Sequence, residues 1–192
     1  MKAILSIVAI SSLAAISSAN IVTNGNFEAD SYPANGYSLP SSVTGWSLIN
    51  SNNVAGIGVG YLGATSQEID LSGVADNTSG MGLYQDLATV AGQQYSLSLD
   101  VYTGGDLGYA GGVNVQIDNQ PLIGSNLQGS VRTNHMLSFT ATGTTTRLSL
   151  MSDHGNVSHV DNVSVQAVPE PASMAALGLG ALGLVRRRRN AR

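Results

Sequence analysis

Five segments of this chain alternate apolar and polar residues with a period of two. In the clearest of them, 95–101, every second residue is apolar: Tyr95, Leu97, Leu99 and Val101. The other four segments are 112–117, 135–141, 146–151 and 158–167. A period of two places one face of a strand in a core and the other in water. No stretch between residues 20 and 167 has a convincing helical period, so we expect an all-β body.

Joints rich in glycine, asparagine and threonine separate these segments. They lie at 50–53, 104–105, 118–121 and 142–144. Several short strands at this spacing predict a single antiparallel β-sandwich, and we find no internal repeat or linker that would divide it.

One strand breaks its own period. Val160 and Val163 are both apolar but stand three residues apart, which is out of phase for a regular strand. An extra residue must therefore lie between them, and we predict a β-bulge near Asp161 and Asn162.

The first nineteen residues have the pattern of a secretory signal peptide. Lys2 supplies a positive start, an apolar stretch follows over 3–16, and small residues occupy 17–19. We expect cleavage after Ala19, so that residues 1–19 are a signal helix and residues 20–167 form the exported body.

The last 25 residues, 168–192, combine three features. Pro169, Glu170 and Pro171 precede an uncharged apolar run over 172–185, and five of the last seven residues are arginine. This order places the tail at a membrane with its basic end on the cytoplasmic side. Fourteen helical residues reach about 21 Å against a hydrocarbon core of about 30 Å, so we expect a short transmembrane helix rather than a permanent anchor.

The tail resembles the PEP-CTERM sorting signal of Gram-negative bacteria. The resemblance rests on the Pro-Glu-Pro motif, the short apolar run and the arginine cluster, which comprises Arg186, Arg187, Arg188 and Arg189. It implies that an exosortase-type enzyme at the inner membrane reads the tail, cleaves near the motif and releases the body to the cell surface or extracellular matrix. The alternative is a tail-anchored protein with a marginal span.

Without its two ends the chain is strongly acidic. Residues 20–167 contain two basic residues, Arg132 and Arg147, and eleven acidic ones, which gives 2 − 11 = −9 against −4 for the whole chain. This balance argues against a nucleic-acid partner and is compatible with divalent cations and neutral sugars. The chain has no cysteine, so the exported body relies on its core or on a metal instead of disulfides.

The body resembles the galactose-binding-like jelly rolls, which include several carbohydrate-binding modules. The matching stretches occur in order along the chain: 24–28 (Asn-Gly-Asn-Phe-Glu), Gly45-Trp46, 83–86, 95–100 and 160–163 (Val-Asp-Asn-Val). The resemblance implies a jelly-roll sandwich with a structural calcium bound by Glu28 and Asp161, with Asn26 as a further ligand. Calcium takes six to eight oxygen ligands, which suits carboxylates joined by carbonyls. The alternative is that these residues serve only as turn or capping residues.

Exposed aromatic side chains are the candidates for a sugar site. Tyr102 falls on the polar face of its strand by alternation, Tyr109 lies in a glycine-rich loop, and Tyr32 and Tyr37 lie in an early loop. Their candidate hydrogen-bonding companions are Asp106, Arg132 and Asn134. The remaining aromatic residues singled out, Trp46, Tyr84 and Tyr95, are expected in the core.

No motif indicates an enzyme, since the chain lacks a cysteine nucleophile and a Gly-x-Ser-x-Gly elbow. We therefore expect a non-catalytic surface or matrix protein that binds polysaccharide. One alternative is a structural or adhesive biofilm protein without a sugar site, and a more distant one is a secreted carbohydrate-active enzyme.

The sorting hypothesis yields a direct prediction. Replacement of Pro169, Glu170 and Pro171 by alanines removes the feature that the sorting enzyme is expected to read. Cell fractionation should then find the full-length protein in the inner membrane with its tail intact, whereas the unaltered chain is released. Normal release of the alanine variant would contradict the hypothesis.

Overall fold

The computed structural model of the protein describes residues 19–49, 54–72, 80–104, 111–153 and 157–169. Residues Ala19–Val168 form one compact unit. The expected signal helix and transmembrane helix lie outside the described residues. Within those residues no helix is both long enough and apolar enough to cross a membrane.

The described residues contain eleven strands and one short 3₁₀ helix, Tyr61–Gly63. The strands are β1 (Tyr37–Ser38), β2 (Ser47–Ile49), β3 (Ala55–Ile57), β4 (Glu68–Asp70), β5 (Gly82–Ala88), β6 (Gln94–Tyr102), β7 (Val113–Ile117), β8 (Gln120–Leu127), β9 (Thr133–Thr140), β10 (Thr145–Ser152) and β11 (His159–Ala167). The all-β prediction is confirmed.

The strands form two antiparallel sheets. The order in the six-stranded sheet is β1-β3-β4-β11-β6-β9, and the order in the five-stranded sheet is β2-β5-β10-β7-β8. Every strand pairing is antiparallel. Apolar side chains from both sheets contribute to one core cluster, so the sheets pack as a sandwich.

The alternation seen in the sequence sets which residues enter this core. In β6, Tyr95, Leu97, Leu99 and Val101 are all buried. Leu148 and Leu150 of β10 are fully buried as well, and exposed and less exposed residues alternate along β9. These strands therefore lie where the period of two predicts.

The predicted bulge in β11 is confirmed. The register between β11 and β6 shifts between Asp161 and Ser164, and Asn162 has a left-handed φ of 51°. The shift lets both Val160 and Val163 point into the core. It also lets the N–H of Val163 donate to the carbonyl of Gly25 at 2.8 Å, which fastens the N-terminal segment to the last strand.

Strand β5 places a polar residue inward and an aromatic residue outward. Gln85 is buried, and its side chain donates to the carbonyls of Thr23 (3.0 Å) and Gly45 (2.7 Å) and accepts from the N–H of Thr23 (2.8 Å). The core position predicted for Tyr84 is therefore wrong, because its neighbour Gln85 takes the inward side. The predicted core position of Trp46 is confirmed.

Gln85 is expected to matter more for stability than its polar side chain suggests. Gln85→Ala removes three hydrogen bonds and leaves partly buried backbone groups unpaired, so the free energy of unfolding should fall by about 3 kcal/mol. Gln166→Ala, on the exposed side of β11, is the matched control. Urea unfolding of residues 19–168 measures both, and equal losses would contradict this role.

Candidate functional site on the outer face of the six-stranded sheet

The strand register shows which side chains share the face of the six-stranded sheet that points away from the core. Residues directly opposite each other in antiparallel strands lie on the same face. His159 lies opposite both Asp70 and Tyr102, and Asp161 lies opposite Asp100. At the other end of the sheet the same face carries, across β1, β3 and β4, Tyr37, Ile57 and Glu68. We call this surface the outer face.

A second part of the chain covers much of this face. Ala64 packs with Ala55 and Ile57 in a small apolar cluster, and Tyr61 packs against it. Ser66 donates to Asp161. The polar side chains on the strands beneath are buried as a result: Glu68, Asp70, His159 and Asp161.

Three buried side chains of the outer face and the partly exposed Arg132 form a cluster, which we call the charge cluster. Arg132 donates from Nε to Glu68 Oε2 at 3.1 Å and from Nη2 to Glu68 Oε1. His159 Nδ1 lies 2.8 Å from Glu68 Oε1, and its Nε2 lies 3.6 Å from Asp70 Oδ2, an ion-pair distance. Asp70 Oδ1 accepts from Ser158 N at 3.1 Å.

The two carboxylates determine the charge of the histidine. Burial alone would lower the pKa of His159, but its interactions with Asp70 and Glu68 raise that pKa to about 9. Burial likewise would raise the pKa of Glu68, but hydrogen bonds with His159 and Arg132 hold it below the usual value. The cluster therefore holds two cations and two anions, and its charges cancel.

Tyr102 is enclosed by this cluster. Its ring lies 4.7 Å beneath the Arg132 guanidinium carbon and meets His159 edge-on at 5.6 Å. The backbone of Gly104 passes so close that a Cβ there would collide with the ring. Tyr102 is only 8% exposed, so the predicted solvent position is wrong. Alternation does place it opposite the core, but other parts of the chain cover that face.

Asp161 is a buried carboxylate with acidic neighbours. It accepts from Ser66 Oγ at 2.6 Å and from the N–H of Asn162 at 2.6 Å. Burial raises its pKa to about 6, and the negative charges of Glu68 and Asp100 act in the same direction, against those hydrogen bonds. Such a carboxylate, with acids on both sides, is a natural ligand for a cation.

Glu28 is linked to Asp161 by the segment that covers the sheet. Its carboxylate accepts from Gln67 N at 2.8 Å and from Gln67 Nε2 at 3.0 Å, and Gln67 follows the Ser66 that binds Asp161. Asn26 is exposed, and its Oδ1 lies 3.5 Å from the N–H of Glu28. The structure thus connects Glu28 and Asp161 through two consecutive residues.

If Glu28 and Asp161 bind a metal, its remaining ligands would have to be carbonyl oxygens or water. Among the residues that the structure describes, no group of three or more His, Cys, Asp or Glu side chains could hold a metal. Calcium sites combine a few carboxylates with carbonyl and water oxygens.

A pair of aromatic rings, one exposed and one partly buried, lies at the β1 end of the outer face. The rings of Tyr37 and Tyr61 have centroids 5.6 Å apart and are inclined by 54°. Tyr37 is 46% exposed. Leu62, next to Tyr61, accepts from Arg132 Nη1 at 3.3 Å, so the ring pair adjoins the charge cluster.

The other predicted sugar-binding residues have different surroundings. Tyr32 packs against the main core, its hydroxyl is buried, and burial together with Asp30 raises its pKa. Tyr32 therefore lies in a loop, as predicted, but only part of its side chain is exposed. Asn134 lies on the exposed side of β9 and donates to Asp100 at 2.8 Å. Tyr109 and Asp106 lie outside the described residues, as does the sorting motif beyond Pro169.

Tyr61, Glu68 and Asp70 were missed by sequence reasoning. The run Glu68-Ile69-Asp70 alternates like an ordinary solvent-facing strand, and nothing in its pattern reports that its polar face is covered. Tyr61 belongs to a 3₁₀ turn in which Leu62 has a φ of 44°. Gly60 precedes the turn and Gly63 ends it, both with positive φ. These two glycines are the one signal in the sequence that could have marked an ordered turn.

Comparison with known proteins identifies the tail. Residues 167–189 match the family model described as the PEP-CTERM protein-sorting motif. The chain therefore carries this sorting signal, which implies export and sorting at the cell surface. No curated protein sequence matches the chain.

Comparison with solved structures identifies the fold of the body. An arabinose-bound α-L-arabinofuranosidase, MgGH51, has a TM-score of 0.54 at 14% identity over 79% of this chain, and the chain spans 27% of that enzyme's length. A Bacteroides thetaiotaomicron protein described as sugar-binding has 0.50 at 15% identity, covering 78% of this chain and all of that one. The CBM22-1 xylan-binding domain of Paenibacillus barcinonensis Xyn10C has 0.50 at 10% identity, covering 72% and 97%. The body thus shares its antiparallel two-sheet sandwich fold with these proteins.

The charge cluster yields a stability prediction. Glu68→Gln leaves Arg132 and the imidazolium of His159 without their shared partner, so the free energy of unfolding should fall by about 3–5 kcal/mol. Asp86→Asn, which breaks the exposed pair with Arg147, should cost far less. Chemical unfolding of both variants tests this, and similar losses would show that the cluster is not a structural unit.

Proposed function

We propose that this protein is an exported surface or matrix protein that binds a polysaccharide without catalysis. The sorting motif supports the location, and an exosortase-type enzyme is the expected partner in sorting. The jelly-roll fold is one in which other proteins bind sugars. The observation that carries the proposal is the aromatic pair on the outer face, in which Tyr37 is exposed and Tyr61 is partly exposed.

The chemistry of this pair suits a sugar. Aromatic rings present a flat apolar surface on which the C–H face of a pyranose can rest, and a few polar groups beside them set orientation. The exposed, hydrogen-bonded Asn134 and Asp100 lie on the same face and can supply such groups. The binding surface that we propose therefore begins at the tyrosine pair and runs over the segment that covers the outer face, toward Asn134 on β9.

The charges favour a neutral polysaccharide over an acidic one. Residues 20–167 carry a net charge of 2 − 11 = −9. Their two arginines are both engaged, since Arg132 pairs with Glu68 and Arg147 pairs with Asp86. An acidic glycan would meet like charge without a free cation to bind it.

The structural or adhesive alternative also has an observation in its favour. Of the tyrosines predicted to meet sugar, Tyr102 is enclosed by the protein and Tyr32 is partly buried against the core. If Tyr37 and Tyr61 bind no sugar either, the jelly roll serves as a stable unit of a matrix.

Binding should depend on the tyrosine pair. Tyr61→Ala and Tyr37→Ala should each weaken binding to an insoluble neutral polysaccharide about three- to tenfold, because each removes one stacking ring. Tyr84→Ala is the matched control, since that ring stacks with Arg147 on the other sheet at 4.0 Å. A pull-down with residues 19–168 measures all three, and equal binding by all variants would contradict the proposed surface.

We also propose a structural calcium at Glu28 and Asp161, with Asn26 contributing through its carbonyl. The support is the buried, acid-flanked carboxylate of Asp161 and its link through Ser66 and Gln67 to Glu28. A cation there would fasten the N-terminal turn to the last strand in a chain without cysteine.

Calcium should therefore raise the melting temperature of residues 19–168, because it binds the folded state only. Asp161→Ala should abolish the rise, whereas Asp153→Ala, on the five-stranded side, should preserve it. Equal melting temperatures of the unaltered protein in calcium and in chelator would contradict the proposed calcium site.

A further inference from the structure

The four terminal strands of the two sheets differ in how they are protected against pairing with another chain. Strand β1 has two residues and β2 has three, so neither offers a long edge. Strand β8 contains Pro121, a glycine with φ of 76° at Gly124, and a register shift against β7. Short strands, proline and irregular register are the usual means by which edges avoid pairing.

Strand β9 has none of these features. It runs for eight residues, Thr133–Thr140, without proline, glycine or any Asp, Glu, Lys or Arg. It pairs with β6 in an unbroken register over its whole length. No other strand in the described part of the chain pairs with its second edge. Every second residue of such a strand directs its N–H and C=O away from the sheet.

The outer side of this edge is also partly apolar. Met136, in the middle of β9, is 73% exposed, and Val131, just before the strand, is 69% exposed. The edge is thus long, regular, uncharged and apolar at its centre, which is the combination that promotes β-pairing.

We propose that β9 pairs antiparallel with β9 of a second copy of this protein, about a two-fold axis at Met136. The two six-stranded sheets then form one continuous sheet. The occupant is a second copy because the strand is complementary to itself: β9 carries no Asp, Glu, Lys or Arg, so two copies of it can pair without bringing like charges together.

The pairs that this register creates are all compatible. On the outer face Met136 lies opposite the Met136 of the second copy, and Asn134 lies opposite Ser138. On the inner side Thr133 lies opposite Phe139, an aromatic with a β-branched residue, which is a favourable cross-strand pair. No pair brings two like charges together.

The absence of cysteine makes the proposal testable in the full chain. Met136→Cys places two thiols opposite each other, at a Cα separation of about 4.5–5.5 Å that a disulfide can bridge. Val90→Cys, in a loop and 65% exposed, is the control for random collision. Asn134→Cys tests the register, because its two thiols would be four residues, about 13 Å, apart along the paired strands.

The variants are expressed as full chains in a Gram-negative host with the sorting machinery, treated with copper phenanthroline, and separated on a non-reducing gel. Met136→Cys should form the covalent dimer at least about tenfold faster than Val90→Cys and Asn134→Cys, because pairing holds its sulfurs together. Equal rates for Met136→Cys and Val90→Cys would overturn the pairing. Faster dimer formation by Asn134→Cys than by Met136→Cys would overturn the two-fold axis at Met136.

Discussion

The bulge in β11 is the constraint on which the rest of the body depends. One extra residue between Asp161 and Ser164 allows Val160 and Val163 to enter the same core, so the last strand remains apolar on its inner side along its length. The same shift lets Val163 hold Gly25, whose Cβ-free backbone is required because a Cβ would collide with the carbonyl of Val163. The two ends of the body are thereby joined without a disulfide.

The bulge also leaves Asp161 on the outer face, beside a cluster whose charges cancel. Glu68 is shared by the partly exposed Arg132 and the buried His159, so the sheet can bury Glu68, Asp70 and His159 at one place with their charges balanced. This arrangement lets a chain segment lie over the strands, and the segment in turn presents Tyr61 beside Tyr37. The proposed binding surface is therefore built on top of a buried polar layer rather than directly on the strands.

The strands and the bulge could be predicted from the sequence. The covering of the outer face and the inward position of Gln85 could not. Alternation predicts β6, β10 and the bulge, because one face of each strand must enter the core. Alternation cannot show that the outer face, on which Tyr102 lies, is covered, because that depends on where a segment distant in sequence lies. Nor does it reveal that Gln85 points inward, because its carbonyl and N–H partners, Thr23 and Gly45, are supplied by turns 40 or more residues away.

We propose that the outer face of the six-stranded sheet is the surface that meets polysaccharide. Hydrogen exchange of residues 19–168, with and without a saturating neutral oligosaccharide, tests it most directly because the exchange of each segment is measured separately. With the oligosaccharide bound, we expect slower exchange around Tyr37 and in the turn Tyr61–Gly63, and unchanged exchange in β5 and β10. Protection confined to β5 and β10, where Tyr84 stacks with Arg147, would place the sugar on the other sheet and contradict the account.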